Sequence, residues 1–405
     1  MHVLILAAGS AGDVHPFVAI GRALRGRGHD VDVLANETFE SLIRDAGLGF
    51  LRAGSAAEFK RATENPDLWH PRKGLKIVVN DAVVPSLEAT VEKIACHRRD
   101  DTVLVASTLG FAARIMQERD GIPLATVHLA PCAFKTLHRM PRYGGMPCTE
   151  RSPRWWKKVW WKMTDWATDP LIAPEVNRLR PGKAPVKSIF MVWLHSPDRC
   201  IGLWPEWFGP MQPDWPEQTR LTGFPLFDEA DSRDVDPDLD AWLDAGDPPL
   251  VFTAGSANVT AQRFFVEAAA TCKRLGRRGL LLTSRSPGAL PDGVRWASYV
   301  PFSRLLPRCA LLVSHGGIGT ISQGIAAGIP QVVAALAFDQ FDNGSRLEDL
   351  GVGTLLPMTR FRVKTAVPVL NRMLGDASVA AACARWRDRI EPALDDTVAL
   401  IEALR

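Results

Sequence analysis

The sequence predicts an α/β protein of two successive doubly wound domains, and three observations lead there. Short apolar runs that read as buried parallel strands alternate with helix-length amphipathic segments in both halves of the chain. A Pro- and Asp-rich stretch at 209–248 interrupts this alternation and reads as the interdomain connection. A length of 405 residues is enough for two cores.

In the first half, 3–6 is a strand, the run from Gly9 to Pro16 a turn, 17–27 a helix and 30–34 the next strand. This β-α-β unit is followed by strands at 102–106 and 124–128. The second series has strands at 250–253, 279–283, 294–300, 311–314 and 331–336, with a helix at 262–275 and others behind the last two strands. The expected organisation is an N-terminal domain at 1–215, a linker region at 216–248 and a C-terminal domain at 249–390. A last helix at 391–405 is placed to cross back to the N-terminal domain. Ligands are expected in the cleft, at the carboxyl ends of the strands.

A net charge of +3 is too mild to imply a nucleic-acid partner. Seven scattered cysteines, odd in number and without a C-x-x-C pair, argue against a disulfide framework or a zinc site and for a reducing compartment. The opening run lacks the cationic front of a signal peptide, and no apolar run nears the roughly 18 residues of a membrane span. A cytoplasmic, soluble protein is therefore expected. Thirteen tryptophans stand against two tyrosines, and many fall between Trp155 and Trp215, which marks that region as specialised.

The most informative stretch runs Ser314-His315-Gly316-Gly317-Ile318-Gly319-Thr320. It joins a buried strand to a helix of small residues, so backbone amides and a positive helix end converge on an anion site. His315 can add a hydrogen bond or a positive charge. After the strand at 331–336, Asp339 and Gln340 offer a carboxylate and an amide to sugar hydroxyls, with Asn343 one turn later. Their competing role is to cap the helix that follows. A diphosphate grip beside a polyol grip indicates a nucleotide-sugar site. Gly255-Ser256 is a second phosphate-contact candidate. Tyr299 can stack a nucleobase while the backbone of Val300 bonds its edge, or Tyr299 is a core aromatic.

In the first turn, Asp13 stands at the carboxyl end of the first strand, where it can take a proton from an acceptor hydroxyl. The alternative is that it caps the following helix. His15 is a partner for it. The run from Trp155 to Met163 draws as a helix with Trp155, Trp156, Val159, Trp160 and Met163 on one face and Lys158, Lys162 and Asp165 opposite. Such a face can wall an apolar acceptor channel or rest on a membrane; the structural alternative is a core-facing helix with a solvated basic side. The D-x-D strings at Asp30-Val31-Asp32 and within 234–240 do not call for a metal, since a helix end and His315 already serve the diphosphate.

Together these motifs resemble the GT-B glycosyltransferases, in particular the large inverting family 1. Gly9-Ser10-Ala11-Gly12-Asp13-Val14-His15-Pro16 resembles its first-strand loop. Tyr299-Val300-Pro301, His315-Gly316-Gly317 and Asp339-Gln340-Phe341-Asp342-Asn343 resemble its donor signature, in order. Within the family the likeness runs towards the rhamnosyltransferases of rhamnolipid synthesis, through Trp193–Pro197, Trp204–Trp215 and Thr222–Asp228.

The resemblance implies a GT-B fold and inverting, metal-independent transfer from a dTDP- or UDP-sugar to an apolar small-molecule or lipid acceptor. It needs no cofactor beyond that nucleotide-sugar, and peripheral contact at the inner membrane face fits such an acceptor. Asp13 would be the base, since Ala11 stands where many members carry a histidine. Ser256, His315, Gly316 and Gly317 would hold the diphosphate, Tyr299 and Val300 the base ring, and Asp339 and Gln340 the sugar. An epimerase of the same two-domain fold, or a non-catalytic partner of a transferase, is the alternative.

Overall fold

The computed structural model describes residues 1–405 apart from 229, 231–233, 256, 257, 259, 260 and 392. Two compact units account for the chain. The N-terminal unit comprises Met1–Pro141, Gly145–Pro225 and Glu391–Arg405, and the C-terminal unit Arg142–Gly144 and Leu226–Ile390.

Among the described residues the N-terminal unit has a sheet of seven strands: β1 (His2–Leu6), β2 (Asp30–Ala35), β3 (Gly49–Arg52), β4 (Thr102–Ser107), β5 (Leu124–His128), β6 (Arg199–Gly202) and β7 (Thr219–Leu221). Their spatial order is β3-β2-β1-β4-β5-β6-β7, and every pair is parallel. β1, β4 and β5 are buried at every position, which is why their sequences are unbroken apolar runs rather than alternating ones. The order reverses between β1 and β4, whose register runs from His2↔Thr102 to Leu6↔Ala106. A doubly wound sheet presents its ligand site outside the carboxyl ends at such a reversal, and here that is the loop Gly9-Ser10.

Two features differ from expectation. The first helix spans Ala11–Gly26, so the turn is confined to Gly9 and Ser10. Pro16 sits inside this helix; the carbonyl it leaves unbonded belongs to exposed Gly12, where water can serve it. The stretch around Trp204–Trp215 lies in the first unit, inside the expected 1–215, where Phe134 stacks on Trp215 at 4.7 Å and meets Trp204 at 6.1 Å. β7 follows as an edge strand within the segment expected to be connection.

The last helix, Leu394–Glu402, also belongs to this unit. Val398 and Ile401 are fully buried, Thr397 Oγ1 bonds Thr222 Oγ1 at 2.9 Å, and Arg27 pairs with Asp395 and Glu402 at 2.9 Å each. The burial carries the docking; such exposed ion pairs contribute little.

The C-terminal unit holds β8 (Leu250–Thr253), β9 (Gly279–Leu282), β10 (Val294–Ala297), β11 (Leu311–Ser314), β12 (Gln331–Val333) and β13 (Gly353–Leu355), in the order β10-β9-β8-β11-β12-β13. The reversal lies between β8 and β11, paired from Leu250↔Leu311 to Thr253↔Ser314. Gly255 and His315 therefore leave adjacent strands side by side. β10 ends at Ala297, so Tyr299 and Val300 lie beyond it, where Pro301 opens a short helix at Phe302–Leu305.

Candidate active site

His315 is held between two glycine backbones. A Cβ on Gly255 would lie 2.7 Å from its Cε1, and one on Gly317 would lie 2.5 Å from its Nε2. Gly255 has φ +84°, open to glycine at little cost. Gly316 has φ +92°, and a Cβ there would meet Val333 Cγ1 at 2.5 Å. The three glycines thus let an imidazole and a tight turn share the space at the end of β8 and β11. Burial lowers the His315 pKa to about 4, so the ring is neutral near pH 7, and its buried Nδ1 has no hydrogen-bond partner among the described residues. Of the two options, the unliganded ring offers a neutral donor and acceptor rather than a charge.

The helix Ile318–Ala326 starts from Gly317, which has no side chain to cap it. Its first N–H groups lack intrahelical acceptors and point out at the positive end of the helix dipole. Gly319 is exposed with open space beside it, and Thr320 is half-buried in the same turn. Ser314 is placed differently from expectation: it is fully buried, and its Oγ accepts from the Gly316 N–H at 3.2 Å. It braces the turn from inside because it is the last residue of a central strand.

The Asp339 segment is tied to that turn by Asn343. This fully buried amide donates from Nδ2 to the Gly316 carbonyl at 2.9 Å and to Asp339 Oδ2 at 2.7 Å. Asp339 stands at the start of the helix Gln340–Leu350, yet its side chain makes no capping bond to that helix. Gln340 is buried, and its Oε1 accepts from the N–H of Leu336 at 2.7 Å and Ala337 at 3.1 Å. Only its Nε2 half remains for a ligand. Between them Phe338 has φ +55°, a left-handed conformation that costs a non-glycine residue roughly 1–2 kcal/mol. Gln340 bonding both preceding amides holds that turn. Phe338 is the positioning residue that no motif marked; Asn343, expected beside Asp339 as a further polar group, instead ties Asp339 to the Gly316 turn.

Tyr299 is 37% exposed, so the core-aromatic alternative fails, while Val300 is buried. Ser256 lies outside the described residues.

In the N-terminal unit, Asp13 is the third residue of its helix and reaches back to Ser10. Its Oδ2 accepts from the Ser10 N–H at 2.7 Å and Ser10 Oγ at 2.9 Å. The capping reading is therefore real. Gly9, at φ +136°, gives the carboxylate room, since a Cβ there would lie 2.4 Å from Oδ2. Both bonds fall on Oδ2; Oδ1 has no partner among the described residues. Desolvation raises the Asp13 pKa above the usual aspartate value, against the opposing Ser10 bonds. A half-buried carboxylate with one free oxygen can cap a helix and accept a proton at once. His15 is half-buried two residues on.

The Trp-rich helix, Arg154–Thr168, is turned differently from expectation. Its buried residues are Lys157 and Trp161. Lys157 Nζ donates to the carbonyls of Leu137 and His138 at 2.9 and 3.1 Å, and Trp161 Nε1 to that of Thr136 at 2.9 Å. Three backbone acceptors thus select the inward face. Trp156 and Trp160 are half-buried against Met140, Cys148 and Trp161. Trp155, Val159 and Met163 face solvent, so the core-facing alternative fails for them.

One further buried cluster lies at the end of β5. His128 Nε2 and His195 Nδ1 face each other at 2.9 Å, and Cys200 Sγ donates to the Ser196 carbonyl at 3.4 Å. Burial holds His128 well below its ordinary pKa, brings His195 down to about 4 and pushes the Cys200 thiol up to about 12. The ligand atoms lie within 4.8 Å of one another, but neutral groups bonded within the cluster account for the arrangement.

Residues 3–138 match the glycosyltransferase family 28 N-terminal domain, and residues 283–403 the erythromycin biosynthesis protein CIII-like C-terminal domain. The chain is 27% identical to O-mycaminosyltylonolide 6-deoxyallosyltransferase of Streptomyces fradiae, over 99% of this chain and 97% of that one. The solved glycotransferase of kitacinnamycin resembles it with a TM-score of 0.74 at 20% identity, over 100% and 98% of the two chains. Glycosyltransferase VinC in complex with DTDP resembles it with a TM-score of 0.71 at 18% identity, over 100% and 99%. At such identities the structural likeness speaks for the fold.

Proposed function

We propose that the chain, whose two halves match a family 28 N-terminal domain and a CIII-like C-terminal domain, is a glycosyltransferase of the GT-B fold that works with inversion on a dTDP- or UDP-sugar. The sugar is rhamnose or glucose-like, and the acceptor is a hydroxyl of an apolar molecule such as a secondary metabolite or hydroxyacyl lipid. The relative named for 6-deoxyallosyl transfer supports a 6-deoxyhexose, and the DTDP-bound relative supports thymidine.

The observation that carries this reading is the His315 turn. An imidazole nitrogen without a partner among the described residues, an uncapped helix end and the Asn343-bound carboxylate of Asp339 come together in one turn. The diphosphate is assigned to His315, Gly317, Gly319 and Thr320, with Gly316 and Ser314 shaping the turn. The nucleobase goes to Tyr299 and Val300, and the sugar hydroxyls to Asp339 and the Gln340 amide nitrogen. As the leaving diphosphate gains charge, the helix N-terminus and His315 stabilise it without reorganising, so the reading needs no metal.

In the N-terminal unit Asp13 Oδ1 takes the acceptor hydroxyl proton while that oxygen attacks C1 and the C1–diphosphate bond breaks. Ser10 holds the carboxylate, and His15 is its neighbour on the helix. Trp155, Val159, Trp160 and Met163 are assigned to the apolar acceptor. The free cysteines support a reducing, cytoplasmic setting; no helix among the described residues is long and apolar enough to cross a membrane.

The test is product formation from dTDP-rhamnose or UDP-glucose and a panel of apolar alcohols, with the anomeric configuration read by NMR. Inverted product is expected, and Asp13→Asn should abolish transfer while still binding dTDP. Wild-type turnover by that variant would remove Asp13 as base. An epimerised sugar from donor alone would replace the transferase with an epimerase.

A further inference from the structure

The outward face of the helix Arg154–Thr168 is unusual for a soluble surface. Trp166 is 82% exposed, Trp155 66%, Met163 51% and Val159 38%, while a lysine of the same helix is buried. At 100° per residue these four side chains lie within an arc of roughly 80°. Val192, 52% exposed, lies in the turn Ile189–Trp193 packed against this helix. Exposed apolar stripes of this kind mark interaction surfaces.

Charge says what the surface meets. Arg154, Lys158 and Lys162 are exposed beside the stripe, Arg151 just precedes the helix, and none of the four forms an ion pair among the described residues. The one acidic residue of the helix, Asp165, is turned inward, paired with Lys135 at 2.9 Å and with the Ser188 hydroxyl. An apolar stripe with tryptophans at its ends, edged by cations and with no outward acid on the helix itself (Glu150 precedes it, beside Arg151), has the chemistry of a helix lying in a bilayer interface. We propose that this face seats the protein on an anionic lipid bilayer, with the rings and Met163 in the headgroup boundary and Lys158 and Lys162 against lipid phosphates. Where the face is seated, Trp155, Val159 and Met163 meet lipid first, and an apolar acceptor reaches them only as a molecule dissolved in that bilayer. The inference goes beyond glycosyl transfer and does not depend on it, since vesicle binding is read without donor or acceptor.

The test is co-sedimentation of the full chain with vesicles of phosphatidylcholine alone and with about a third phosphatidylglycerol, at low and high salt. Binding should require the anionic lipid and weaken with salt. Lys158→Gln with Lys162→Gln should weaken it roughly 25-fold, at about fivefold per cation. Trp166→Ser should weaken it without altering the salt dependence, and circular dichroism should show all variants folded. Failure to bind anionic vesicles, or binding unchanged in both variants, overturns the proposal. So does a concentration-dependent dimer in ultracentrifugation that Trp166→Ser abolishes, which would assign the face to a second copy.

Discussion

Replacing Asn343 tests whether the His315 turn and the Asp339 carboxylate form one unit. Asn343→Ala removes the bond to Asp339, worth about 2 kcal/mol because the acceptor is charged, and the bond to the Gly316 carbonyl, worth about 1 kcal/mol. It also removes the buried Oδ1, which has no partner among the described residues; its loss returns about 1 kcal/mol. The net expectation is destabilisation by about 2 kcal/mol in urea melts at pH 7, with dTDP binding weakened about tenfold as the turn loosens, since 1.4 kcal/mol is a factor of ten.

Asn343→Asp is the sharper perturbation, because it sets a second carboxylate where the amide stands 2.7 Å from Asp339 Oδ2. Two such groups cannot both ionise without repulsion, so one pKa is raised in the folded state. A raised folded pKa gives stability that is present at low pH and lost as pH rises through it. Asn343→Asp should therefore be less stable than Asn343→Ala at pH 7 and recover on acidification to pH 5. Wild-type stability in Asn343→Ala, or Asn343→Asp the more stable at pH 7, would refute the linkage.

Acid should weaken the wild-type fold through His195. Its folded pKa of about 4 lies below the ordinary 6.5, so the unfolded chain takes up the proton first, and stability is full above pH 6.5 and lost towards pH 4. About 2 kcal/mol should disappear between pH 7 and pH 5, and His195→Gln should flatten the urea-melt dependence by that amount. Gly317 has ordinary backbone angles, φ −63° and ψ 140°, so Gly317→Ala tests sterics alone: displacing His315 should cut dTDP affinity more than tenfold, read by calorimetry, with the fold intact. At Phe338, glycine should exceed alanine in stability by about 1 kcal/mol in urea melts, because only glycine adopts φ +55° without strain.

The central strands were legible because parallel strands buried on both faces must read as continuous apolar runs, as in β1, β4 and β5. The strands that escaped notice, β3, β6, β7 and β13, are three or four residues long, and most of their positions are not fully buried or lie at a sheet edge. The donor turn was visible because Gly316 and Gly317 are demanded by backbone and imidazole geometry that no other residue fits. Gly255 is demanded likewise, but by a partner sixty residues away in sequence, which no local pattern reveals. The Trp-rich helix misled because hydrophobic periodicity does not register the carbonyls of Thr136, Leu137 and His138. Those acceptors took Lys157 and Trp161 inward and left Trp155, Val159 and Met163 outside.

The most direct measurement is calorimetric titration of dTDP and UDP into wild-type protein and His315→Ala, in the presence of EDTA. One nucleotide bound per chain without divalent metal, and weakened about tenfold or more in His315→Ala, is the predicted result. No binding by wild type, binding that needs a divalent metal, or equal affinity in His315→Ala would contradict it.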